Sequence, residues 1–215
     1  MADYSNITTM MDVLVRRAEG IVNEAYRCHK EESLREMSKM TSLVFPQYSA
    51  DDDESQDKQK KQKEKTRISE QELRFAFVQA FHEYKCKHNC NYQYGVEVPT
   101  KDKYLFTEKD EGNKRKYKPR IDKNGRSGSF DMVIYNDRLE RVCLIEFKYG
   151  TSEKGSFAKD FLKLANPEEG SKDAKRYFIH LVKDKADREE SIRNKVKSFI
   201  SADINNVIYK EVTLT

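Results

Sequence analysis

Three charged side chains break two of the most apolar stretches of this chain, and any fold has to account for them. Ser129-Phe130-Asp131-Met132-Val133-Ile134-Tyr135 and Val142-Cys143-Leu144-Ile145-Glu146-Phe147-Lys148-Tyr149-Gly150 are dense in Val, Ile, Tyr and Phe, and Asn136-Asp137-Arg138 marks a turn between them. Both runs therefore read as short strands. Asp131, Glu146 and Lys148 lie inside them, where a charge costs several kcal/mol unless it is paired or on a metal. Folding the runs as an antiparallel hairpin, with 136–141 as the loop, sets Tyr135 opposite Val142, Val133 opposite Leu144 and Asp131 opposite Glu146. Opposed residues have Cβ atoms about 5 Å apart and share one face of the sheet. The period of two adds Lys148 to that face and turns Phe147 to the other. Two carboxylates so close repel unless a cation lies between them, and Mg²⁺, a hard ion with oxygen ligands, suits that place. An ammonium beside it could orient or deprotonate an attacking water and offset charge in a phosphorane-like transition state. The plainer alternative is a buried ion pair of Lys148 with Glu146 or Asp131.

Asp131 on one strand, followed by Glu146-Phe147-Lys148 closing the next, resembles the signature of the PD-(D/E)xK nuclease superfamily. The apolar run before Glu146 and the Tyr149-Gly150 after Lys148 are also similar to members of that group. Phe130 stands where the name-giving Pro would be. The resemblance implies a restriction-endonuclease-like α/β fold, an α-β-β-β-α-β core whose mixed central sheet is flanked by helices. It also implies a Mg²⁺-dependent phosphodiesterase (Mn²⁺ substituting) that cuts DNA, with Asp131 and Glu146 on the metal and Lys148 assisting the water. An acidic residue of the first core helix often joins such a site, and Glu70 matches that spacing.

The helix bearing Glu70 has its own sequence warrant. Ser69-Glu70-Gln71-Glu72 matches a capping box, with Ser69 as N-cap and Glu72 at the third helical position. Leu73, Ala76, Phe77, Ala80, Phe81 and Tyr84 form a buried stripe to about Lys87. At 100° per residue Glu70 falls on the edge of that stripe and Glu72 outside it, so Glu72 caps and Glu70 is the unexplained acid. Favourable interaction with the helix dipole is the competing account of Glu70.

Composition divides the chain near residue 66. Residues 51–65, Asp-Asp-Asp-Glu-Ser-Gln-Asp-Lys-Gln-Lys-Lys-Gln-Lys-Glu-Lys, carry no apolar side chain and read as a charged linker, 51–66. Before it, residues 1–50 form a helical extension. Ile7, Met11, Leu14, Ala18, Ile21 and Ala25 recur at steps of three and four, and Leu34, Met37, Leu43, Val44 and Phe45 continue the apolar content. This stripe either caps the main domain or serves as a homodimer or partner-binding arm. The nuclease-like domain spans 67–215, with strands at Tyr92–Val98, Arg176–Val182 and Val207–Val212 and helices at about Ser156–Leu164 and Arg188–Ile200. Between Val98 and Gly128 the sequence reads as a long polar excursion.

Within that excursion Lys114, Arg115, Lys116, Lys118 and Arg120, with Lys123 and Arg126, face a single acid, Asp122, and Tyr117 offers a face for stacking. Such a cluster is an electrostatic footprint for a phosphate backbone, and Lys154, Lys159 and Lys163 could extend it. Asp160 and Lys163 read otherwise as ordinary exposed helix residues, and His180 as edge or core packing. His82, Cys86, His88 and Cys90 could be a zinc set, but their spacing is irregular and no Cys-x-x-Cys is present. No apolar run approaches the roughly 20 residues of a membrane span, and the N-terminus lacks a signal-peptide pattern. Four Cys without a dense framework suit reduced thiols. The expected setting is cytoplasmic, with nucleic acid as partner and no membrane. The competing function is a non-catalytic nucleic-acid-binding or protein-interaction subunit of a larger restriction, defence or mobile-element complex.

Overall fold

The computed structural model describes residues 6–30, 41–49, 64–109, 115–150, 157–183 and 188–215. In chain order it contains α1 (Ile7–Lys30), β1 (Gln47–Ser49), β2 (Glu64–Thr66), α2 (Glu70–His88), β3 (Gln93–Lys109), β4 (Arg115–Ile121), β5 (Arg126–Tyr135) and β6 (Arg141–Tyr149). These are followed by α3 (Ala158–Ala165), a 3₁₀ turn (Pro167–Glu169), β7 (Lys175–Val182), α4 (Glu189–Lys197) and β8 (Val207–Thr213). Six strands form one sheet in the order β4-β3-β5-β6-β7-β8, and β1 pairs with β2 separately. The fold is mixed α/β. Pairing is antiparallel from β4 to β6 and parallel from β6 to β8. That switch follows from the connections: a short loop returns the chain antiparallel, whereas α3 and α4 are the crossovers that parallel neighbours need.

Helices cover both faces. Met10, Met11, Leu14, Ala18, Ile21 and Ala25 of α1 share a core with Leu73, Phe77, Phe81 and Tyr84 of α2 and with Met132, Ile134, Ile145 and Phe147 of the sheet. The α1 stripe is thus buried within the chain, against α2 and β8. Leu34 and Met37 lie outside the described residues. On the other face Phe157, Phe161 and Leu164 pack with Val133, Leu144, Phe178, Ile192 and Val207. The period-two alternation of β6 is visible in one contact: Phe147 meets Phe77 of α2 edge-on at 5.4 Å, while its neighbours Glu146 and Lys148 reach α3.

Glu64–Thr66, read as the end of the charged linker, is a short strand paired with Gln47–Ser49 of the extension read as helical, and two features of the main sheet also depart from the sequence reading. The first is the polar excursion, which is largely strand. β3 runs 17 residues, its second half pairs with β4, and the basic run expected in a loop lies in β4 at the sheet edge. Pro99 interrupts the β3–β5 ladder, and the register shifts between Pro99 and Lys103, as expected where a strand residue lacks an N–H. The amides freed by this shift are met from elsewhere: Lys101 N (2.7 Å) and Asp102 N (3.1 Å) donate to the buried carboxylate of Glu169, as does Tyr104 Oη (2.7 Å). The second is the hairpin loop. Val133 opposes Leu144 as expected, but Tyr135 opposes Arg141 rather than Val142. Asn136 Oδ1 accepts from Arg138 N and Glu140 N, and Leu139 takes φ 56°, which closes the loop one residue early.

Candidate functional site

The hairpin register runs through Met132↔Ile145, and one step further it sets Asp131 opposite Glu146. Both are buried, at 8% and 1% exposure. Each carboxylate is engaged by its own cation. Asp131 Oδ1 accepts from Arg74 Nη2 at 2.9 Å and its Oδ2 from the backbone N of Phe147 at 2.8 Å. Glu146 Oε1 accepts from Lys163 Nζ. Lys148 pairs with neither: its Nζ lies 3.4 Å from Glu70 Oε2 and 3.5 Å from Asp160 Oδ2.

Helix α2 delivers Glu70 and Arg74. Its capping box forms as the sequence predicts, with Ser69 N and Oγ both donating to Glu72 Oε2 at 2.8 and 2.6 Å. Glu72 is thereby occupied at the helix end, leaving Glu70 to face Lys148. One turn on, Arg74 bridges Asp131 to Glu97 Oε1 at 2.6 Å. Glu97 sits in the interior of β3 with φ 49°, whereas Asn89 and Leu139, which also have positive φ, lie at a helix cap and a turn. A positive φ for a Glu within a strand is strain of the kind found at functional sites.

Helix α3 supplies Asp160 and Lys163, and here the structure corrects the sequence reading. Both are buried, at 1% and 5% exposure. The reason is tertiary: α3 is amphipathic, but its polar side packs on the sheet as well, so Asp160 and Lys163 are enclosed against Ser129, Glu146 and Lys148 while Lys159 stays exposed. No local signal marked this, because Lys159, Asp160 and Lys163 share one side of the helix, the ordinary pattern of a solvated face. Lys163 Nζ, with three donors, is surrounded by Glu146 Oε1, Ser129 O at 2.6 Å and Asp160 Oδ1 at 3.1 Å. Arg74 and Glu97 had no local signal either, because their meeting depends on the angle at which α2 crosses the sheet.

Charge balance shapes the ionisation of the cluster. Glu70, Glu97, Asp131, Glu146 and Asp160 oppose Arg74, Lys148 and Lys163. Burial, and then the Asp160 carboxylate, push Glu146 well above the usual carboxylate range, against the pull of Lys163. Burial works to lower Lys163, but Glu146 and Asp160 outweigh it and the ammonium is pushed up to about 12. The first shift favours a neutral acid and the second an ion pair. With the ammonium in direct contact and ringed by oxygens, the ion pair is the form we adopt.

The remaining sequence candidates fall outside this cluster. Arg115, Lys116 and Lys118 belong to β4, and Lys114 lies outside the described residues. Arg120 Nε pairs with Asp122 Oδ2 at 3.3 Å. His82 Nε2 is 3.1 Å from Tyr94 Oη and His88 lies tilted on Tyr84, so the His/Cys group does not converge. His180 is buried, its Nδ1 2.8 Å from Tyr209 Oη and its Nε2 against the Gly150 carbonyl. Among the described residues no group of three or more His, Cys, Asp or Glu stands ready as a metal centre, because the carboxylates are turned onto Arg74 and Lys163. The donor set is nevertheless all oxygen, and Asp160 Oδ2 is buried without a hydrogen-bond donor, which fits a hard divalent ion. No helix among the described residues is long and apolar enough to cross a membrane.

No family model matches this chain, and neither a curated protein nor a solved structure is detectably similar to it.

Proposed function

We propose that this chain is a metal-dependent nuclease with a restriction-endonuclease-like core, hydrolysing phosphodiester bonds in DNA. The observation that supports this reading is the meeting of Asp131, Glu146 and Lys148 with Glu70 across a strand pair and the first core helix, in the order of the PD-(D/E)xK pattern. The sequence α2, β3, β5, β6, α3, β7 follows the α-β-β-β-α-β order, with β4 as an addition on the outer edge.

In this reading Asp131 and Glu146, with Glu70, would hold Mg²⁺ or Mn²⁺, which would polarise the phosphate and lower the pKa of the attacking water. Lys148 remains an ammonium: burial works to lower its pKa, but Asp160, Glu146, Asp131 and Glu70 outweigh it. It therefore serves as a hydrogen-bond donor to a phosphate oxygen or to the water, steadying charge that builds in the transition state, and not as the base that removes the proton. Glu70 and Asp160, each within 3.5 Å, hold its long side chain toward the site. The basic residues of β4 with Lys114 would meet the phosphate backbone, since the turn after Ile121 leads directly into the strand bearing Asp131.

A second reading, a nucleic-acid-binding module without cleavage, draws on the ion pairs that already neutralise Asp131 and Glu146. Incubating the chain with labelled duplex DNA, single-stranded DNA and RNA, with Mg²⁺, Mn²⁺ or EDTA, separates the two. Cleavage that appears with the metals and stops in EDTA supports the nuclease; binding without cleavage under every condition favours the module.

A further inference from the structure

Lys163 is a site residue whose place no nuclease pattern in the sequence explains. Its ammonium sits among three oxygens, Glu146 Oε1, Ser129 O and Asp160 Oδ1, with the Phe130 ring 5.6 Å away. Hard oxygens plus an aromatic face make a good cation site. The fit extends to the stem: a Cβ at Gly128 would come within 3.1 Å of Lys163 Cδ, so glycine there leaves the lysine its channel. Beside it Asp160 keeps a second oxygen, Oδ2, buried without a hydrogen-bond donor, and its nearest cation, Lys148 Nζ, is 3.5 Å away.

We propose that the Lys163 ammonium is a built-in substitute for a divalent cation, that a metal ion binds at Glu146 by displacing it, and that Asp160 then becomes an additional carboxylate ligand. The inference rests on the metal-dependent reading above and adds Asp160 and Lys163 to it. It accounts for two otherwise unrelated observations. The carboxylates of the described residues are arranged as ion pairs rather than as a ready metal centre, yet one buried acidic oxygen at their middle has no hydrogen-bond donor and only the 3.5 Å ion pair with Lys148.

Competition of this kind is measurable without any turnover. Titration calorimetry of the full chain with Mn²⁺ should give Lys163→Gln an affinity at least tenfold above wild type, about 1.4 kcal/mol. Lys163→Arg, which keeps the charge, should show no gain, and Asp160→Asn added to Lys163→Gln should reverse it. Should Lys163→Gln fail to fold, reductive methylation of the wild type supplies the answer. Lys163 should be protected without metal and modified several-fold faster with saturating Mn²⁺. Wild type that binds Mn²⁺ while Lys163→Gln binds no tighter, or Lys163 protection indifferent to Mn²⁺, overturns the displacement and leaves the metal site standing. No binding by wild type or by any variant overturns both.

Discussion

Replacing Asp131 by Asn removes one charge and exchanges one acceptor for a donor at a buried point. Considered only as one of two facing carboxylates, Asp131 should be a source of repulsion, and its neutralisation should raise the melting temperature in the absence of metal. The neighbouring donors reverse that sign. Asp131 receives Arg74 Nη2 at 2.9 Å and Phe147 N at 2.8 Å, and an Asn side chain can accept only one of them while its NH₂ faces the other donor. Leaving a buried donor unmet costs about 1–3 kcal/mol, and breaking a buried ion pair by removing one partner costs about 3–5. Arg74 keeps Glu97 as a partner, 56% exposed, so the cost falls where the two ranges meet, about 2–3 kcal/mol. For a chain of this size each kcal/mol shifts the midpoint by about 2–4 °C, giving a fall of roughly 4–12 °C. Calorimetry and urea unfolding in EDTA would measure it, and a double-mutant cycle with Arg74→Gln should show strong coupling. A melting temperature equal to or above wild type would refute the reasoning and restore repulsion as the dominant effect.

Three further outcomes follow from the same structure. Glu169→Gln should cost about 1–3 kcal/mol by leaving one of the two β3 amides facing an NH₂ donor, and hydrogen exchange should accelerate first at Lys101 and Asp102; uniform exchange across the sheet would show that the carboxylate is not their clamp. His180, whose pKa burial lowers from 6.5, binds its proton less readily folded than unfolded, so stability should fall as pH drops below about 6.5 toward the folded pKa. His180→Gln should flatten that part of the urea-midpoint profile, and an unchanged slope would assign it to other groups. Neutralising Lys114, Arg115 and Lys116 together should weaken DNA binding similarly across sequences and reduce the salt slope by about 0.9 for each phosphate no longer neutralised; an unchanged slope would move the nucleic-acid surface elsewhere.

The elements that the sequence made readable are those with one strong local signal. Ser69 and Glu72 fixed the start of α2 through their capping box, and period-two alternation set Val133 against Leu144. The closing strands were bounded by clear apolar runs, at Lys175–Val182 and Val207–Thr213. What escaped were features satisfied at long range. β4 looked like loop because its residues are charged, and an edge strand tolerates charge. The continuation of β3 past Pro99 depends on Glu169, 68 positions away from Lys101 in the chain. The hairpin pattern identified Asp131, Glu146 and Lys148 as anomalies, but the alternative ion pair of Lys148 with Glu146 or Asp131 is not formed, and Arg74, Lys163, Glu70 and Asp160 pair with the three instead. Arg74 and Lys163 come from helices whose packing angles no local pattern encodes, and the amphipathic pattern of α3 pointed Lys163 and Asp160 toward solvent although both are buried.

The measurement closest to the central claim is the rate of duplex DNA cleavage in Mg²⁺ by wild type, Glu146→Gln and Lys148→Ala, each first shown by urea unfolding to be cooperatively folded. The account predicts metal-dependent cleavage by wild type and its loss, by roughly two orders of magnitude, in both variants. Wild-type rates in a folded Glu146→Gln or Lys148→Ala, or no cleavage by wild type with any divalent ion, would contradict it.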